Sequence, residues 1–141
     1  MEVIYSHGDA DGICSAALLY KAHPTAELWI TTPVGLLKDL KSCNAERVYM
    51  GDIAISERDK AQLFEEFKRI SDNGELVYID HHPLPLETLT SDIPVSKVVW
   101  DTGKSASELV FRFLGDAEGS HLALFGAIAD YRDATDFVIK E

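Results

Sequence analysis

Short apolar runs alternate with amphipathic segments along this 141-residue sequence, and the alternation constrains its fold more than any other feature. β-branched and aromatic residues predict strands at 3–7, 27–32, 47–52 and 76–79, with a further extended segment at 96–100. Helical spacing and capping signals predict helices from 13 to the break at Pro24, and at 34–40, 56–71, 105–114 and 119–130. Strands that alternate with helices predict an α/β fold, a doubly wound parallel sheet with helices on both faces.

The length and composition are those of one soluble domain, which we expect to span residues 1–141. Hydrophobic residues make up 46% of the sequence and charged residues 26%, enough for an ordinary core. No run approaches the roughly 18 apolar residues that cross a bilayer, and the start lacks a secretory profile. We therefore expect a cytoplasmic protein with no membrane contact, in which Cys14 and Cys43 are buried or half-buried thiols.

The charge balance bears on the substrate. The sequence has 24 acidic and 13 basic residues and a formal net charge of −11. A protein that grips a long phosphate backbone normally presents a basic face. Either the substrate is small, or cations and a missing part of the protein supply the positive charge.

Polar residues follow three of the predicted strands at the edge where parallel sheets bind ligands. They are the segment from His7 to Asp11, then Asp52, then Asp80-His81-His82. If the segment after His7 is extended, alternate side chains point to one side, so His7, Asp9 and Asp11 converge. The sequence thus predicts one cluster of carboxylates and imidazoles.

Such a cluster predicts a metal site. Four clustered aspartates would repel one another strongly, and a divalent cation is the simplest neutraliser. Carboxylate and imidazole ligands suit Mn²⁺, with Mg²⁺, Co²⁺ or Fe²⁺ as alternatives. The number of carboxylates suggests two ions, which together can clamp the attacking and leaving oxygens of a phosphoryl transfer.

Structural roles compete with this interpretation. A single aspartate here could be only a helix cap, and a histidine at a strand end is most often structural, but the tandem His81-His82 favours function. The segment Gly103-Lys104-Ser105 lacks the glycine that a Walker motif requires, since Val98 stands in that position. We therefore predict that Ser105 caps a helix, beside which Lys104 could contact a phosphate.

Four motifs in order resemble those of the DHH phosphoesterases, a family that includes RecJ-type exonucleases and small-nucleotide phosphatases. They are His7-Gly8-Asp9-Ala10-Asp11-Gly12, Gly51-Asp52, Asp80-His81-His82 and Gly126-Ala127-Ile128-Ala129-Asp130. The resemblance covers nearly the whole chain. One departure is that His7 stands two residues before the first aspartate, where several branches place four.

The resemblance implies roles for individual residues. One Mn²⁺ would be held by His7, Asp9 and Asp52. The other would be held by Asp11, Asp52, His81 and Asp130, so that Asp52 bridges the two ions. Two catalytic roles are also implied: His82 would contact the phosphate or assist the leaving group, and Asp80 would orient a histidine.

The sequence Asp9-Ala10-Asp11-Gly12 is most similar to the corresponding motif of the RecJ-like branch. This resemblance implies hydrolysis of single-stranded nucleic acid or short oligonucleotides. A phosphatase or phosphodiesterase acting on a dinucleotide, adenosine 3′,5′-bisphosphate or pyrophosphate is the alternative. A third possibility is a non-catalytic DHH module. The family normally adds a C-terminal substrate-binding domain, which we expect to lie on a missing piece or a partner chain.

Overall fold

Five strands form a single sheet in the computed structural model, which describes residues 1–115 and 119–129. The strands are β1 (Glu2–His7), β2 (Glu27–Thr31), β3 (Arg47–Gly51), β4 (Glu75–Asp80) and β5 (Lys97–Trp100). Their order is β2-β1-β3-β4-β5, and every neighbouring pair is parallel. The predicted parallel α/β architecture is confirmed.

Helices cover both faces of this sheet. They are α1 (Ala10–Ala22), α2 (Leu36–Lys41), α3 (Lys60–Asn73), α4 (Ala106–Leu114) and α5 (Ser120–Ala129). Strand side chains alternate between faces, so Tyr78 packs with Phe67 of α3 while Val77 packs with Leu18 of α1. Helices α2 and α3 therefore cover one face, and α1, α4 and α5 cover the other.

Two predicted helix starts were wrong, and one was confirmed. Helix α1 begins at Ala10, because the Asp9 side chain already caps it by accepting the Gly12 amide at 2.8 Å. Helix α3 begins at Lys60 after Asp59, so Ser56 does not cap it. Ser105 caps α4 as predicted and accepts the Glu108 amide at 3.1 Å.

The strand order creates a crevice at the carboxyl edge of the sheet. From β1 the chain crosses to β2 on one side and then to β3, β4 and β5 on the other. Helices that follow β1 and β3 leave in opposite directions, which opens the ligand site typical of such sheets. His7 and Asp52 stand on the two sides of that crevice. In the part of the chain that the structure describes, no helix has the length and apolarity to cross a membrane.

Candidate metal centre and active site

Asp52 is the centre of the site. It directly follows β3, is 1% exposed, and has a backbone φ of 60°, a left-handed value that aspartate adopts more readily than most residues. Its amide donates to the Ile79 carbonyl oxygen at 3.0 Å, which ties this turn to β4. Left-handed backbone of this kind costs about 1 kcal/mol or more and concentrates at functional sites.

Hydrogen bonds compensate only partly for the burial of the Asp52 carboxyl group. Its Oδ1 lies 3.0 Å from Nε2 of His81, while Oδ2 is buried and accepts no hydrogen bond from a donor among the described residues. Burial first, then the neighbouring Asp9, Asp11 and Asp80 carboxyl groups, raise the Asp52 pKa to about 10. A buried carboxyl group among three others, with one oxygen that has no donor among the described residues, fits a divalent cation.

His7 and Asp9 form the exposed side of the site. Nδ1 of His7 lies 3.2 Å from Oδ2 of Asp9, and both side chains are part-exposed. Burial opposes a low pKa for Asp9, but hydrogen bonds with Asp52, the Gly12 amide and His7 outweigh it and lower that pKa. Ligand atoms of His7, Asp9 and Asp52 lie within 4.8 Å of one another, so the structure brings together one predicted metal set.

Asp11 points elsewhere, because residues 10–12 are helical rather than extended. Its two carboxylate oxygens accept the backbone amides of Ala106 at 3.0 Å and Ser107 at 2.9 Å, at the start of α4. Oδ2 also lies 3.4 Å from Nε2 of His81. Burial raises the pKa of Asp11, although the hydrogen bonds from Ala106 and Ser107 act to lower it. The predicted convergence of alternate side chains was wrong, yet Asp11 still reaches the site through His81.

A second cluster surrounds His81. This histidine is 3% exposed, and its Nε2 lies between Asp52 and Asp11. Ligand atoms of Asp52, Asp80, His81 and His82 lie within 4.8 Å of one another. Since Asp52 belongs to both clusters, a single carboxylate could serve ions on either side of it.

Asp80 and His82 form a separate pair at the end of β4. Oδ1 of Asp80 lies 2.7 Å from Nδ1 of His82, and the half-buried imidazole turns its other nitrogen away from this partner. The hydrogen bond with Asp80 raises the pKa of His82 although burial opposes it. Of the two candidate histidines, His82 is thus a hydrogen-bond partner of the Asp80 carboxylate.

Tyr78 was missed by sequence reasoning. Its hydroxyl lies 2.7 Å from Oδ2 of Asp80 and 2.9 Å from the Ile53 carbonyl oxygen, with one proton to donate to either. Burial and the charge of Asp80 raise the pKa of Tyr78 well above its usual value, so it keeps that proton. The signal was available, because residues 78 and 80 of one strand share a face.

Two glycines let the elements around Asp11 approach closely. A Cβ on Gly12 would lie 2.1 Å from the His7 carbonyl oxygen, and one on Gly126 would lie 2.1 Å from Ser107 Oγ and 2.9 Å from Asp11 Oδ1. Gly12 therefore lets the start of α1 pack against the end of β1, and Gly126 lets α5 pack against the Ser107 and Asp11 side chains. The sequence interpretation gave both glycines only a place in a motif.

The DHH family model for the N-terminal domain matches residues 2–132. The chain belongs to the DHH family. DHH proteins are metal-dependent phosphoesterases, and the described residues of this member include acidic and histidine clusters able to bind a metal ion. The predicted family is thereby confirmed, while the ligand roles of individual residues stay predictions. Asp130, the last predicted ligand, lies outside the described residues.

A solved structure shares this fold. An uncharacterized protein from Helicobacter pylori G27 superposes with a TM-score of 0.66 at 14% identity. The match covers 99% of this chain and 46% of that chain, so this DHH chain spans less than half the length of its structural relative. A comparison with curated proteins finds no match.

Proposed function

We propose that this DHH chain carries the catalytic centre of a phosphoesterase that hydrolyses phosphodiester bonds of single-stranded nucleic acid or short oligonucleotides, in the manner of the RecJ-like branch. Two divalent cations, with Mn²⁺ preferred, would be its cofactors. The first would bind His7, Asp9 and Asp52, and the second would bind Asp11, Asp52, His81 and Asp130. The proposal extends to the complete protein, in which a further domain or a partner chain would bind the substrate.

The observation that carries the proposal is the position of Asp52. This buried carboxyl group belongs to both ligand clusters and has an oxygen with no hydrogen-bond donor among the described residues. Folding places it there at the cost of a left-handed backbone. An arrangement that is unfavourable without a cation, and favourable between two, supports a metal centre more than a structural network.

The chain's own residues supply positioning and proton transfer. The Asp80 carboxylate fixes the tautomer of His82 by accepting from Nδ1, which leaves Nε2 for the substrate. Because the pKa of His82 is raised, the imidazolium persists towards neutral pH and can donate a proton to a leaving oxygen. Bound cations would add positive charge that polarises the phosphoryl group and lowers the pKa of water.

One observation favours the smaller substrates. The net charge of −11 opposes non-specific binding of a polyanion, so a dinucleotide, adenosine 3′,5′-bisphosphate or pyrophosphate is the second candidate. Salt screens electrostatic interactions beyond about 8–10 Å. The charge close to the site therefore bears more on the choice between these substrates than the net charge of the chain does.

A Mn²⁺-dependent hydrolysis assay tests the function. The chain is incubated with bis-p-nitrophenyl phosphate, with dT oligonucleotides and with pyrophosphate, each with Mn²⁺ or with EDTA. We expect Mn²⁺-dependent cleavage of the phosphodiesters, and its loss in Asp52→Asn. Equal hydrolysis by wild type and Asp52→Asn would contradict the proposed centre, and cleavage of pyrophosphate alone would support the second candidate.

A further inference from the structure

A cavity of about 250 Å³ lies over strands β1 and β2, on the face of the sheet that α2 and α3 cover. Two pairs of neighbouring strand residues line it, Val3 beside Glu27 and Tyr5 beside Trp29. Helix α2 has six residues and spans about 9 Å, whereas the five residues of β2 span about 16 Å, so the helix leaves part of this face open. None of the metal ligands predicted within the described residues lines the cavity.

The floor of this cavity is buried and its rim is exposed. Val3, Tyr5 and Cys43 are at most 5% exposed, whereas Trp29 is 46% exposed. Nε1 of Trp29 donates to Oε1 of Glu27 at 3.0 Å, which holds the ring beside this carboxylate. The rim therefore presents an aromatic ring and a negative charge to a ligand that enters from solvent.

The negative charge of the cavity is not neutralised within the part of the chain that the structure describes. Glu27 and Asp39 both line it, and no lysine, arginine or histidine side chain of the described residues does. Neither carboxylate forms an ion pair there, and the partner of Glu27 is the neutral indole of Trp29. Burial first, then Cys43 and the charges of Asp39 and Glu27 raise the pKa of Tyr5. The negative potential thus extends to the buried floor.

The spacing of the polar groups favours an organic cation over a metal ion. Among the described residues, only the two clusters around Asp52 bring three ligand groups within 4.8 Å of one another, and Glu27, Asp39 and Cys43 do not form such a group. An ammonium ion tolerates wider spacing, because its hydrogens pair with carboxylates while an aromatic ring attracts its charge. The volume is just below that of drug-sized sites, so the ligand must be small.

We propose that this β1–β2 cavity binds a small aliphatic amine, which is an ammonium ion at neutral pH. Glu27 and Asp39 hold its charge, the Trp29 ring covers its alkyl chain, and Tyr5 contacts it from the floor. The proposal does not depend on the proposed hydrolysis, because the cavity shares no described residue with the metal centre. Either idea can therefore fail without the other.

Titration of the metal-free protein with putrescine, a four-carbon diamine, tests the cavity, and 1,4-butanediol is its uncharged counterpart. The sequence has two tryptophans, so proton–nitrogen NMR spectra give two indole N–H signals. We expect putrescine to shift the signal of Trp29. The signal of Trp100, which lies outside the cavity and donates to the His82 carbonyl oxygen, should not move. The diol should shift neither signal.

Charge and ring can be removed separately. The variant Glu27→Gln/Asp39→Asn removes both charges but keeps an acceptor for the Trp29 indole, and we expect it to weaken putrescine binding by about fivefold or more. Trp29→Leu should weaken binding by about two- to fivefold, measured by calorimetry. The control Glu65→Gln/Asp72→Asn makes the same change in net charge at exposed positions of α3 and should weaken binding by less than about twofold.

Four outcomes would overturn the cavity proposal: no shift of the Trp29 signal by putrescine, an equal shift by the diol, unchanged binding by Glu27→Gln/Asp39→Asn, or equal losses in this variant and the α3 control. A response of the Trp100 signal alone would also overturn it, because it would assign binding to the metal centre. Circular dichroism melts check folding, and Asp39→Asn replaces the double variant if that variant is unfolded. Absence of Mn²⁺-dependent hydrolysis, with putrescine binding intact, would contradict only the proposed function.

Discussion

Oδ1 of Asp80 lies 2.7 Å from Nδ1 of His82, so the first and last residues of the DHH triplet form a carboxylate–imidazole pair. The middle residue, His81, instead contacts Asp52 and Asp11. Adjacent histidines of one motif thus face different partners. This division agrees with the separate roles of metal ligation and phosphate contact that we propose for them.

Asp80→Asn is expected to lower the pKa of His82, because it removes the negative charge that favours the imidazolium. NMR titration of the metal-free protein should show this fall in the His82 pKa. In wild type, the raised pKa of His82 keeps the imidazolium present to higher pH. Loss of this effect in Asp80→Asn should move the alkaline limb of the kcat–pH profile to lower pH. His23, which lies 3.1 Å from Glu2, is the internal control. An unchanged His82 titration would contradict this pairing.

Asp11→Ala is expected to destabilise the metal-free protein by about 2–4 kcal/mol, because it leaves two buried amides at the start of α4 without an acceptor. Asp11→Asn, which keeps one acceptor oxygen, should lose less. Urea unfolding in EDTA measures both. Asp72→Ala, at an exposed position on α3, should change stability by less than about 0.5 kcal/mol. Equal effects of Asp11→Ala and Asp72→Ala would refute the proposed support of α4.

Without metal, stability should fall as the pH rises. The pKa of Asp52 is about 10 in the folded protein and 3.8 in an ordinary environment, so between these values the folded chain holds a proton that the unfolded chain has released. The free energy of unfolding therefore decreases with pH across this window. Melting curves in EDTA from pH 5 to 9 measure it. The stability of Asp52→Asn should depend less on pH than that of wild type. An equally steep dependence in this variant would mean that other groups cause it.

The sequence predicted the sheet and the edge where the site lies, because those follow from local patterns. Strand periodicity placed Asp52 and Asp80 at strand ends, and parallel pairing brings such ends together. It could not predict where Asp11 points, since its partner Ser107 is 96 residues away and belongs to another helix. The helix start at Ala10 was missed for a related reason: Asp9 was assigned to a metal and not to a cap, and the structure allows it to be both.

Calorimetric titration of the metal-free chain with Mn²⁺ tests the central claim most directly, because Asp52 should join two metal positions. We expect about two ions per chain for wild type and the loss of both strong sites in Asp52→Asn, with the folded state intact by circular dichroism. Binding of two ions with unchanged affinity by Asp52→Asn, or no binding by wild type, would contradict the proposed centre.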